Sequence, residues 1–148
     1  MKIISTLVLA FVIALGAAGV RAGDPVLEML DPYFRIQTAL SDDKTDGVKA
    51  DALAIKTAAK LMGEAGTKIV ATADTLSSAS DLAAARLAFS ALSDAVVAYS
   101  EKTKAAGDGV HTMFCPMANK QWMQKGEKVS NPYYGKSMLT CGEKKKST

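Results

Sequence analysis

The chain has 148 residues, 49% of them hydrophobic, and 18 basic against 15 acidic side chains. That length allows one domain with a real core and leaves little room for a second. The weak positive balance argues against nucleic acid as a partner, because phosphate binding needs a strongly basic surface.

Residues 1–22, "MKIISTLVLAFVIALGAAGVRA", carry an early charge at Lys2 and an uncharged run from Ile3 to Val20, with small residues before Gly23. This pattern predicts a secretory signal peptide cut near Ala22. The rival is an uncleaved anchor, since roughly 18 apolar residues approach the minimum for a membrane span. Ser5, Thr6, Gly16 and the cleavage-like ending favour removal. The remaining domain, 23–148, would hold 126 residues and be close to neutral, with no membrane contact and with "EKKKST" as a solvated tail.

From about 25 to 106 the sequence is rich in alanine and poor in proline, which favours helix. Asp24-Pro25 and Asp31-Pro32 each resemble an N-cap followed by a first helical residue, so the first helix starts at one of them, or starts early and kinks at Pro32, and runs to about Leu40. "SDDKTDG" breaks it. Val48, Ala52, Ile55, Ala59 and Met62 then draw one narrow apolar stripe of a second helix. A shorter piece is expected around Lys68 to Leu76. Ser80 and Asp81 precede the clearest helix, with Leu82, Ala85, Phe89, Leu92, Val96 and Tyr99 on one face and an end near 103–108. The predicted fold is mainly α, an up-and-down bundle of three to four helices.

After Gly109 the composition changes. Residues of about 110–142 are short of alanine and rich in aromatic, Met, Gly, Pro and Asn residues, which predicts a small irregular or β-hairpin C-terminal module with "NPYYG" as its turn.

This module concentrates the soft side chains. "HTMFCPM" read as extended chain places His111, Met113, Cys115 and Met117 on one face, with Pro116 bending it. "MLTC" adds Met138 and Cys141. A hairpin would return Cys141 to Cys115, giving two thiolates with one or two thioethers, a ligand set that selects Cu(I), and to a lesser degree silver or zinc. Trp122, Tyr133 and Tyr134 would wall such a site from water. The plainer readings are equally physical. In an exported protein the two cysteines can form a disulfide, worth roughly 3–4 kcal/mol in the chain-entropy model. The methionines can be adaptable packing, and His111 an ordinary surface residue. No phosphate loop or haem-attachment motif is present, and His111 with Cys115 lacks a third group to orient a base, so an enzyme is not expected.

"FCPMANKQWMQ" followed by "NPYYGKSMLTCG" resembles the signature of a bacterial domain-of-unknown-function family, numbered three-three-four-seven. The likeness rests on Cys115, Pro116, Met117, Trp122, Asn131, Pro132, Tyr133, Gly135, Met138, Cys141 and Gly142. Members of that family are small exported proteins or domains appended to periplasmic adaptor subunits of heavy-metal efflux pumps of the RND class. The resemblance implies a periplasmic Cu(I) or silver buffer or carrier that passes its ion to an efflux adaptor or another copper acceptor. The alternative is a metal-free interaction module, stapled by a Cys115–Cys141 disulfide, that meets a protein partner through Trp122, Tyr133 and Tyr134.

Overall fold

The computed structural model describes residues 23–146; the expected signal peptide, 1–22, lies outside the described residues. The fold is mainly helical, with a small three-stranded antiparallel sheet at the C-terminal end.

Helix α1 spans Pro25–Ser41. Its start follows from the Asp24 side chain, which accepts the Val26 N–H at 2.9 Å, and from Pro25 in the first turn, where a missing N–H costs nothing. Pro32 lies in the interior and the helix continues through it. At the far end the Lys44 N–H reaches the Ala39 carbonyl and the Asp43 N–H that of Leu40, a left-handed termination with Asp43 at φ 62°. An aspartate therefore occupies a position that favours glycine, and the partner that its carboxylate finds becomes important below.

Helix α2 spans Val48–Lys60, α3 spans Thr67–Ser77 after a short 3-10 turn, and α4 spans Leu82–Thr103. The Asp81 side chain caps α4 by accepting the Ala84 N–H at 2.8 Å. Each helix packs on its neighbour in the chain, α1 on α2, α2 on α3 and α3 on α4. The stripes read from the sequence face this core: Val48, Ala52, Ile55 and Ala59 of α2 and Ala85, Phe89, Leu92 and Val96 of α4 are buried, while Met62, Leu82 and Tyr99 are half-buried against it. Among the described residues α4 is also long and apolar enough to cross a membrane, a property that buried core helices share.

The sheet differs from the predicted hairpin. Strand β1 (Val110–Cys115) pairs with β2 (Lys120–Lys125) through the four residues Pro116–Asn119, not through "NPYYG". Asn119, at φ 50°, supplies the left-handed residue that this turn needs. The two-residue strand β3 (Glu143–Lys144) pairs with the other edge of β1, giving the order β2-β1-β3. "NPYYG" instead belongs to a long connection that folds over the sheet.

One face of the sheet rests on the helices. Met123 donates its N–H to the Tyr33 hydroxyl at 3.0 Å, Gln121 donates its amide to Asp94, and Lys125 lies over the Phe34 ring. The opposite face, carrying Met113, Cys115, Trp122 and Gln124, is covered by the 126–142 connection. Gln124 is the hub of that cover. Its amide donates to the Gly126 and Lys128 carbonyls, and its oxygen accepts from Ser130 N–H and Trp122 Nε1. The outer edge of β2 meets two phenols, since Tyr133 donates to the Gln121 carbonyl and Tyr33 accepts the Met123 N–H.

Candidate functional site

The connection is held to the helices by polar contacts that span the chain. The Ser130 carbonyl accepts from the Gln37 amide at 2.7 Å and from the Ser41 hydroxyl at 3.1 Å. Arg86 of α4 donates to the Pro132 carbonyl, to the Leu40 carbonyl and, at 2.6 Å, to the Asp43 carboxylate. Asp43 in turn accepts the Lys136 N–H. Its carboxyl is held below the usual range, first by the Arg86 hydrogen bond and further by the Lys136 N–H, with burial opposing. Gly135, at φ 56°, lies so close to this ion pair that a Cβ would collide with both Asp43 and Arg86. Much of "NPYYG" is thus explained as a clasp.

Asn131 organises the inner end of the connection. It is fully buried; its side-chain oxygen accepts the N–H groups of Tyr133 and Tyr134, and its amide donates to the Cys141 carbonyl at 2.6 Å. The Asn131 N–H also reaches the Leu139 carbonyl at 2.8 Å, so the two ends of the 131–141 loop are tied together. A tight turn then returns the Cys141 N–H to the Met138 carbonyl. Gly142 completes the approach: at φ 148° it passes over Trp122, and a Cβ there would stand 2.7 Å from the indole ring.

These constraints deliver Cys141 to Cys115. The two sulfurs lie 2.8 Å apart although 26 residues separate them in sequence. Cys115 ends β1 and is buried; Cys141 is half-buried. The Ala118 N–H points at the Cys115 sulfur from 3.5 Å. Burial resists ionisation of Cys115, but hydrogen bonds from the Cys141 thiol, the Ala118 and Met117 N–H groups and the Asn131 amide outweigh it and hold its thiol below the ordinary range. The Cys141 thiol, bonded first to Cys115 and then desolvated, is pushed up. The pair thus pushes the two thiols in opposite directions, Cys115 down and Cys141 up. Such a pair is suited to holding a soft cation or to closing as a disulfide.

The remaining residues of the predicted ligand set are dispersed. Met117 is off the strand, because β1 ends at Cys115, and it is 65% exposed. Met138 is half-buried in the turn before Cys141. Met113 shares the face of Cys115 but is buried opposite Trp122. His111 lies four residues up β1 from Cys115, about 13 Å by strand rise, and lines a separate cleft. The aromatic face expected to meet a partner is not at the surface. Trp122 is fully buried, with Tyr133 set edge-on against it, and only Tyr134 is half-buried. Among the described residues no three His, Cys, Asp or Glu side chains converge as a metal-binding group.

The sequence pattern marked Asn131 only as a motif position without a role, and gave no sign of Gln124 or the Arg86–Asp43 pair as residues that build the site. The left-handed aspartate at the end of α1 was the one local cue, and a buried amide has none.

Comparisons with family models, with curated proteins and with solved structures find no match to this chain.

Proposed function

We propose that this is an exported soft-metal-binding protein, a Cu(I) or silver buffer or carrier, in which an up-and-down helical bundle supports a two-thiol site. Cys115 and Cys141 are the principal ligands. Met117 and Met138 are the auxiliary thioethers, being the methionines nearest those cysteines in sequence that are not sealed in the core. The observation that carries this reading is the meeting of two thiols, 2.8 Å apart, beside the open Pro116–Asn119 turn. Two thiols in contact give a soft ion two sulfur donors once it displaces their protons. Exposed Met117 then offers a weak, pH-independent donor from which an acceptor can take the ion by ligand exchange. The motif resemblance noted above, which no family-model match accompanies, points to the same cargo, and a heavy-metal efflux adaptor is the proposed acceptor.

A second reading has its own support. At 2.8 Å the sulfurs are closer than two thiolates sharing one ion with metal–sulfur bonds of about 2.3 Å at tetrahedral angles. Metal binding therefore requires them to part, whereas a disulfide requires them to close. In an oxidising compartment the pair would then be a staple for the connection over the sheet.

Competition for Cu(I) against a chromophoric chelator, under anaerobic conditions and with a thiol count on the protein as isolated, separates the two. Tight one-to-one binding that is lost in Cys115→Ser and Cys141→Ser, and lowered in the Met117→Leu/Met138→Leu double variant, is expected. Absence of binding by the fully reduced protein, together with no free thiol in the isolated protein, would replace the carrier by the staple.

A further inference from the structure

His111 leads to a second place on the molecule. It lines a cleft of about 630 Å³ between the C-terminal end of α4 and the β1–β3 side of the sheet, about 13 Å along β1 from Cys115. The cleft is of the size that small organic ligands occupy. Its floor includes buried Met123, with Ala106 and Val110 as further apolar lining.

Two independent features mark it. The first is charge: Lys104, Lys144, Lys145 and Lys146 line it against Glu101 and Asp108. Lys145 is engaged by Glu101 at 3.2 Å and by Gln121 at 3.1 Å, which leaves Lys104, Lys146 and, from the Met113 side of the sheet, Lys144 as cationic lining against Asp108. The second is Ser100. Its hydroxyl is the buried side-chain polar atom without a hydrogen-bond partner among the described residues, in a residue only 4% exposed, and it lines this cleft. A serine inside a helix ordinarily turns its hydroxyl to a carbonyl one turn back, as Thr38, Thr57 and Thr103 do here. A buried hydroxyl that does not do so loses about 1–3 kcal/mol unless something else receives it.

We propose that this cleft binds a small oxyanion, a carboxylate or phosphate group on a compact organic molecule. The Ser100 hydroxyl donates to it at the bottom and Lys104, Lys144 and Lys146 surround it at the rim. The apolar floor of Met123 and Val110 takes the carbon skeleton. His111 shares the sheet face of Cys115 by register and reaches this cleft four residues along β1 from it.

The test is a titration of the chain from Gly23 onward, followed by amide chemical shifts in two-dimensional NMR, with citrate in one arm and inorganic phosphate in the other. Saturable shifts confined to residues about Ser100, His111 and Thr112 are expected, and the arm with the lower dissociation constant tells which oxyanion is preferred. Ser100→Ala should weaken binding about tenfold without unfolding the helix, since alanine is the better helix former. Lys104→Ala/Lys144→Ala/Lys146→Ala should abolish it. Absence of saturation up to about 10 mM, or equal shifts with sodium chloride at matched ionic strength, would overturn the proposal. So would binding unaffected by Ser100→Ala, which would leave only diffuse attraction to surface lysines. Neither variant touches the cysteines, so Cu(I) affinity should stay as in the parent protein whichever way this test falls.

Discussion

The helices and the C-terminal module are stabilised by different means. In 25–103 the core is built from repeated, interchangeable contacts: small and aliphatic side chains on amphipathic stripes, where losing one methylene is felt but not decisive. In 110–146 the sheet is only three strands wide, one of them two residues long, and cannot bury enough surface alone. It depends on single residues with several partners each. The lesson is that the helices should tolerate substitution gradually, whereas the module should fail at a few defined points.

The sharpest break should be Trp122→Ala. The indole is fully buried between Met113, Tyr133 and Gly142, so its loss should cost about 3–5 kcal/mol. If the comparison holds, Cys115 becomes open to alkylation at denaturant concentrations where helical circular dichroism is still intact. Simultaneous loss of both signals would mean that module and helices form one cooperative unit. Next, Asn131→Ala strands the N–H groups of Tyr133 and Tyr134 and the Cys141 carbonyl, and should cost about 2–3 kcal/mol in urea unfolding. It should also separate the thiols, read as slower disulfide closure. By contrast Ile55→Val in α2 should cost only about 0.5–1.5 kcal/mol and leave thiol reactivity unchanged.

The smallest effect concerns acid. Asp43 has its folded-state pKa lowered by Arg86, so the stability it contributes is present above the unfolded carboxylate value, ~3.9, and is lost as pH falls through the folded value. Urea midpoints measured downward from about pH 5 should therefore fall less steeply in Asp43→Asn than in the parent protein. Parallel profiles would show that the exposed ion pair adds nothing and that Arg86 acts through the Leu40 and Pro132 carbonyls alone.

The helical part was legible because its signals are local. An aspartate before Leu82 set one start, the two Asp-Pro pairs narrowed another to Pro25 or Pro32, and spacings of three and four predicted the buried stripes of α2 and α4. The module was legible in composition and not in geometry. Alternation along "HTMFCPM" holds as far as Cys115 and fails at Met117, because Pro116 opens the turn instead of bending a continuing strand. The approach of Cys141 to Cys115 was anticipated, yet by a hairpin at "NPYYG" that does not form. It comes instead from β3 on the far edge of β1 and from the Asn131 loop. Those depend on partners such as Gln37, Asp43 and Arg86, more than 40 residues distant, which no local pattern reveals.

The two phenols along β2 carry a consequence for association. An unpaired strand edge is a template on which a second chain can add its own strand. Here Tyr133 and Tyr33 occupy the outward carbonyl of Gln121 and N–H of Met123, and burial raises both phenols well above their ordinary ionisation range, so they stay protonated at neutral pH. The same rings that pack the interior thus act as a guard rail for the sheet, and a molecule lacking both would be the one in which copies of this protein begin to stack edge to edge.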